Sequence, residues 1–157
     1  PKKWQYSKNP LTVETLMKVL IAIDGSDSSL RATQYVLDHA VIFGVKPDIT
    51  LIYVHLPVPS PRARAWLGQE VLDQYYSEEA EEALAGARAA IAARGLKAGE
   101  IKRVGDPGAE IAKAATEGGS VLIVMGTHGR SALGTLVMGS VATKVLAHSI
   151  VPVLLVK

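Results

Sequence analysis

"MKVLIAIDGSDSSLRATQYVLDHAVIFG", residues 17–44, runs from an unbroken apolar stretch into a patterned one. Val19 to Ile23 are apolar at consecutive positions, as a strand covered on both faces must be. We read 17–24 as a first strand, β1. From Ser26 the spacing changes to that of a helix, with Ser26 or Asp27 as its cap. Leu30, Thr33, Val36, Leu37, Ala40 and Val41 would form its buried face, and Gly44 would end it. A buried strand followed directly by an amphipathic helix is half of a βαβ unit.

The same alternation continues along the chain. "DITLIYVHL" (48–56) reads as β2. A proline-rich loop, "PVPSPRARAW", leads to a long helix from about Gln69 to Arg94. Its expected buried stripe is Leu72, Tyr76, Ala80, Leu84, Ala87 and Ile91, with Gly95 closing it. "SEEAEEA" (77–83), on the same helix, reads as a solvated face. "EIKRV" (100–104) is β3, charged enough to sit at an edge. "GDPGAEIAKAATEGG" (105–119) is a helix with Asp106 as cap and Pro107 in its first turn. "VLIVM" (121–125) is β4, a glycine-rich stretch opens a helix to about Ala147, and "VPVLLV" (151–156) is β5.

In an open parallel sheet, ligands sit at the carboxyl ends of the strands where strand order reverses. Two stretches suit that place, "AIDGSDSS" after β1 and "GTHGRSALGTLVMGS" (126–140) after β4. If they share one site, β1 and β4 are neighbours and the order is 3-2-1-4-5. The expected architecture is therefore a single-domain, doubly wound, Rossmann-like α/β fold. Its five-stranded parallel sheet has helices on both faces. Residues 1–16, with Trp4 and Tyr6, are polar overall and read as an amino-terminal arm ahead of a domain spanning 17–157.

Composition narrows the function. Seventeen Lys and Arg stand against fifteen Asp and Glu, so charge points neither to nucleic acid nor to a membrane surface. No apolar run approaches the roughly 18–20 residues of a membrane span, and "PKKWQYSKNP" lacks the apolar core of a secretory signal. The chain has no cysteine, which excludes disulfides and thiolate metal sites. These features set the expectation of a soluble, cytoplasmic protein. His39, His55 and His148 show no metal-ligand spacing.

The glycine stretch carries the chemistry. Gly126, two residues, Gly129, nine residues, Gly139 and Ser140 lead into the next helix. The first N–H groups of a helix have no intrahelical partner, and its dipole is positive there, so a phosphate is the natural guest. Ser140 can cap the helix and donate its hydroxyl. "GTLVMGS" has the glycines and serine of a P-loop but not its lysine, and no G-x-G-x-x-G occurs. Main-chain donors can bind phosphate without that lysine. Charge-assisted hydrogen bonds contribute roughly 1.5–3 kcal/mol each, so three or four supply much of the ~8 kcal/mol of a micromolar complex.

The G-x2-G-x9-G-S spacing after the fourth strand resembles the ATP-binding branch of the universal stress protein family. "VLIAIDGSDSS", "VHLPVP", "GDPGAEI" and "VPVLLV" match that family's layout, and the likeness covers about residues 17–157. The resemblance implies the same sheet order, a homodimer, and an adenine nucleotide at the switch point, ATP or another adenylate, with Mg²⁺ carried by the phosphates. By position, Ala22 and Asp24 would line the adenine and ribose side, with Leu56 after β2. Gly126, Thr127, His128, Gly129, Arg130 and Ser131 would wrap the ribose and phosphates. Gly139, Ser140 and Val141 would hold the phosphates at the helix start. Arg62 and Arg64 lie in the loop after β2, where they either form a lid or stand in solvent. Val151, Val153, Leu154, Leu155 and Val156 make β5 a poor edge to leave in water, and a two-fold mate paired along it would cover them. With donors for phosphate and no recognisable nucleophile, base or lysine, the expected role is a nucleotide-dependent switch with slow or no hydrolysis. The competing reading is an ATP-using enzyme, an adenylating or other transferase, with its catalytic residues in 57–67.

Overall fold

Alternate residues of β1 go to opposite sides of one sheet, and that division organises the protein. The computed structural model describes residues 17–42, 46–129 and 138–157, apart from the side chain of Ala63. The amino-terminal arm, Gly44, Arg130 and Ser131 lie outside the described residues. The strands are β1 (Lys18–Ala22), β2 (Asp48–His55), β3 (Ala98–Val104), β4 (Leu122–Gly126) and β5 (Val153–Val156). The helices are α1 (Asp27–Asp38), α2 (Pro61–Leu67), α3 (Gln69–Ala93), α4 (Pro107–Glu117) and α5 (Ser140–His148).

The five strands form one parallel sheet in the order β3-β2-β1-β4-β5. Val19, Ile21 and Ile23 pack with Ile49, Leu51 and Tyr53 of β2 against Val36 of α1 and Leu84, Ala87 and Ile91 of α3. Leu20 and Ala22 point the other way, joining Ile52, Ile123 and Met125 against Ile111 and Ala115 of α4 and Val145 of α5. Right-handed crossovers require this division. The chain winds outward from β1 to β3, then returns past β1 to β4 and β5, so its helices change face. The reversal leaves a crevice between the carboxyl ends of β1 and β4.

Local chemistry sets the helix starts. Ser26 Oγ accepts from Ser29 N at 3.2 Å and caps α1. Asp106 Oδ1 accepts from Ala109 N at 3.1 Å, with Pro107 in the first turn of α4. Three details differ from expectation. Helix α1 ends at Asp38, and its buried side comprises Ser28, Ser29, Ala32, Thr33, Val36 and Leu37. Leu30 is exposed because Ser28, not Leu30, turns inward against Gly126 of β4, and Val41 is exposed beyond the end of α1. The proline-rich loop contains a helix, α2, started by Pro61 and carrying Arg62 and Arg64. In α3 the buried stripe includes Ala83, whereas Tyr76 is only partly buried, its hydroxyl accepting from Val58 N at 3.1 Å.

Carboxylates tie the outer elements together. Arg103 bridges Glu110 and Glu117, Arg88 bridges Glu81 and Glu100, and Lys144 reaches from α5 to Asp106 at 2.6 Å. Hydrogen bonds from Lys144 and from the Ala109 amide hold Asp106 below the ordinary carboxylate range. The Arg103 guanidinium does the same for Glu117, and Arg88 for Glu100. A carboxyl group that ionises more readily in the fold than in the unfolded chain adds stability that is complete above its unfolded pKa. That stability is lost as pH falls through the folded value. The melting temperature should therefore hold steady from about pH 7.5 to 6 and fall between about pH 5 and 3. Calorimetry across that range checks it; a flat profile to pH 3 would show that these pairs add nothing.

Candidate functional site

A cavity of about 540 Å³ opens over the carboxyl ends of β1, β2 and β4. Its lining includes Ala22, Asp24, Leu56, Gly126, Thr127, His128, Gly129, Gly139, Ser140 and Val141. All the described residues expected to bind the nucleotide are thus brought together, although Leu56 stands at the exposed rim, 61% accessible. Arg62 and Arg64 are exposed on α2 and are not among the lining residues.

The two ends of the glycine stretch meet. Gly139 N donates to Thr127 O at 2.8 Å, while Thr127 N donates to Val156 O at 3.0 Å. The β4 end is thereby fixed to both β5 and the start of α5. Gly139 is the cap residue of α5, with φ −61° and ψ 151°, and no side chain caps the helix. Ser140 is therefore the first helical residue and not the cap expected from sequence. The first intrahelical bond runs from Thr143 N to Gly139 O at 3.1 Å. The amides of Ser140, Val141 and Ala142 thus lack intrahelical acceptors and sit at the positive end of the helix dipole.

The glycines answer to close approach. A Cβ on Gly126 would lie 2.2 Å from Ser28 Oγ and 2.9 Å from the Ser28 carbonyl carbon. The β4 backbone is thus pressed against the first turn of α1. A Cβ on Gly139 would lie 3.2 Å from Thr127 O and 3.7 Å from Gly129 N, in the space over the loop after β4.

Asp24 terminates β1 and shapes the turn. Its Oδ1 accepts from Ser26 N at 3.0 Å and Ser26 Oγ at 2.6 Å. Its Oδ2 lies beside Gly129, 2.9 Å from where a Cβ would stand. The carboxylate thereby touches the glycine loop while holding the cap of α1. Thr127 Oγ1 and His128 Nδ1 are hydrogen-bonded at 2.8 Å.

The cavity has two unlike walls. On the α4–α5 side stand Ala22, Val54, Ile111, Met125, Val141 and Ala142, which belong to or pack on the apolar cluster of that face. On the α1–α3 side stand Asp24, Ser29, Tyr53, Tyr75 and Glu79. His55 joins β2 to that side: it donates from Nδ1 to Leu56 O at 2.5 Å, and its ring lies 5.2 Å from Tyr75 and 4.7 Å from Tyr76. The sequence reading missed Tyr53, His55, Tyr75 and Glu79. Tyr53 and His55 were recoverable, since the switch point has β2 as its other neighbour. Glu79 belongs to "SEEAEEA" and was not recoverable by pattern, because its place depends on how α3 packs on α1 and β2. That segment is only partly a solvated face, since Ala80 and Ala83 are buried and Glu79 lines the cavity.

A doubly wound sheet with an amide-rich crevice at its switch point defines the class: an α/β protein of the kind that takes ligands at its strand ends. More narrowly, the profile of the universal stress protein family matches residues 15–157, and the chain belongs to that family. It is 34% identical over 140 residues to the universal stress protein MJ0531 of Methanocaldococcus jannaschii, covering 89% of this chain and 81% of that protein. Among solved structures, MJ0577 of the same organism superposes with a TM-score of 0.74 at 28% identity, over 89% of this chain and 94% of its own. A universal stress protein solved in complex with cAMP superposes with a TM-score of 0.61, also at 28% identity, over 90% and 97% of the two chains. Among the described residues no helix is long and apolar enough to cross a membrane.

Proposed function

We propose that this protein is an ATP-binding universal stress protein, a nucleotide-dependent switch that hydrolyses its nucleotide slowly or not at all. One observation carries the reading. The uncapped start of α5, the Thr127–Gly129 loop and Asp24 adjoin one another around a single cavity at the switch point. The residues fit the nucleotide. The amides of Ser140, Val141 and Ala142, with the Ser140 and Thr127 hydroxyls, supply donors for phosphate oxygens. The apolar wall of Val54, Ile111 and Met125 suits a planar base. The complex of a related protein with cAMP supports an adenine nucleotide. Mg²⁺, if it enters, comes on the phosphates: among the described residues no three His, Asp or Glu side chains gather to hold an ion.

In this reading the protein works in the cytoplasm as a homodimer. The β5 edge supports the pairing, since Val153–Val156 are only half-buried and Ile150 beside them is 85% accessible. Native mass spectrometry with added ATP tests the proposal: we expect a dimer carrying one intact adenine nucleotide per chain. A protein that stays nucleotide-free at millimolar ATP would refute it. Rapid turnover coupled to a small-molecule acceptor would instead favour a transferase.

A further inference from the structure

His55 ends β2 on the far side of β1 from α5, and it lines the cavity there. Its place is fixed through both backbone and ring. Gly105 N donates to His55 O at 2.9 Å, which carries the β2–β3 pairing past the last residue of the strand. The ring meets Tyr75 at 72° and Tyr76 at 52°, with centroids 5.2 and 4.7 Å away. Tyr53, two residues earlier and so on the same face of β2, lies edge-on at 6.2 Å.

The ring's hydrogen bond fixes its chemistry. Nδ1 lies 2.5 Å from Leu56 O, and a carbonyl only accepts, so Nδ1 carries the proton. In the neutral imidazole the other nitrogen is then a bare acceptor. Among the described residues nothing donates to Nε2. Val54 and Leu56, which line the cavity on either side of His55 in the chain, bring apolar side chains only.

The sheet order decides which part of a nucleotide reaches this nitrogen. β1 separates β4 from β2. Neighbouring strands stand about 4.8 Å apart, so the β4 and β2 ends are roughly 10 Å apart. That is about the reach from the 5′-phosphate of a nucleotide to its base. The α5 start is bonded to the β4 end through Gly139 N and Thr127 O. Phosphates seated on it therefore put the base at the β2 end, against Val54 and beside His55. Adenine carries an amino donor at position 6, where guanine carries a carbonyl acceptor.

We propose that His55 is a specificity-determining residue: its unprotonated Nε2 accepts a hydrogen bond from the 6-amino group of the base and selects 6-aminopurine nucleotides over purines without that group. This rests on the nucleotide-binding reading above and names the base that the site selects. A 6-carbonyl would set one acceptor against another. A hydrogen at position 6 would leave Nε2 unpaired beneath the base, and a site built to hydrogen-bond its ligand discriminates against the analogue that lacks the group.

The test is calorimetric titration with ATP and with purine riboside 5′-triphosphate, which differs from ATP by a hydrogen in place of the amino group. Mildly alkaline buffer keeps the imidazole neutral. The wild type should bind ATP at least about fivefold more tightly, the size of one hydrogen bond. In His55→Phe, which keeps a flat ring against Tyr75 and Tyr76 but has no acceptor, the preference should fall below about twofold. Circular dichroism and melting report whether the variant is folded. Proton–nitrogen spectra of the wild-type histidine side chains need no variant: ATP should shift the His55 Nε2 resonance and the analogue should leave it nearly unmoved. A resonance that saturating ATP leaves in place overturns this proposal alone. Equal wild-type affinities for ATP and the analogue, or an undiminished preference in folded His55→Phe, do so too. Failure of the wild type to bind either nucleotide overturns the nucleotide reading and this proposal with it.

Discussion

Gly126→Ala is expected to destabilise the fold by about 3 kcal/mol, the upper range for overpacking a close-fitting interior. The added methyl would lie 2.2 Å from Ser28 Oγ, 2.8 Å from its Cβ and 2.9 Å from its carbonyl carbon. A side-chain rotation could clear the hydroxyl, but the backbone of α1 would still have to move. That backbone is held by the Ser26 cap, itself bonded to Asp24, so relief would pull on the cavity wall. The Ser28 hydroxyl is buried and, among the described residues, is the buried side-chain polar atom with no hydrogen-bond partner. Removing it should relieve part of the clash. In urea denaturation, Gly126→Ala introduced into a Ser28→Gly background should cost at least about 1 kcal/mol less than in the wild type, the kind of coupling expected for touching residues. A Gly126→Ala protein as stable as wild type would mean that α1 and β4 are farther apart than described.

Gly139→Leu should leave the fold nearly intact and abolish most nucleotide affinity. Its backbone, at φ −61° and ψ 151°, suits any residue, so no left-handed strain arises. The Cβ contacts Thr127 O at 3.2 Å, tight but open to small adjustment. Beyond it, a leucine side chain would occupy the space next to Thr127, His128 and Gly129, where the phosphates are proposed to lie. Losing two charge-assisted hydrogen bonds at roughly 1.5 kcal/mol each corresponds to about a hundredfold weaker ATP binding. Calorimetric titration of the two proteins, alongside their urea midpoints, separates a blocked site from an unfolded one. Undiminished affinity in a folded variant would remove the phosphates from the α5 start.

Most of the sheet could be read from the chain because its central strands are buried on both faces. Val19 to Ile23 and Leu122 to Met125 are apolar at successive positions, and the first run leads directly into a helix with a clear cap, Ser26. The order β3-β2-β1-β4-β5 followed from requiring the two polar, glycine-bearing loops to meet. Where the reading failed, the deciding contacts join residues far apart in sequence. Ser28 takes the buried side of α1 in place of Leu30, because close against Gly126 there is room for nothing larger. Helix α2 escaped notice because it presents little apolar surface to a core: Trp66 is 88% accessible and Leu67 39%. Glu79 is one charge among several in the sequence, and only the packing of Ala83 against Gly25 sets its turn of α3 beside the cavity. For the phosphate end, the glycine spacing identified the region, but it could not say that Gly139, not Ser140, would take the cap position and leave the serine inside the helix.

The central claim is that main-chain amides at the start of α5, without help from a lysine, bind the phosphates of an adenine nucleotide. Proton–nitrogen NMR correlation spectra of the labelled protein, titrated with ATP and separately with adenosine, address those amides individually. ATP should shift the Ser140, Val141 and Ala142 resonances strongly, and adenosine should leave them nearly unmoved. Saturating ATP that leaves all three in place would contradict that claim.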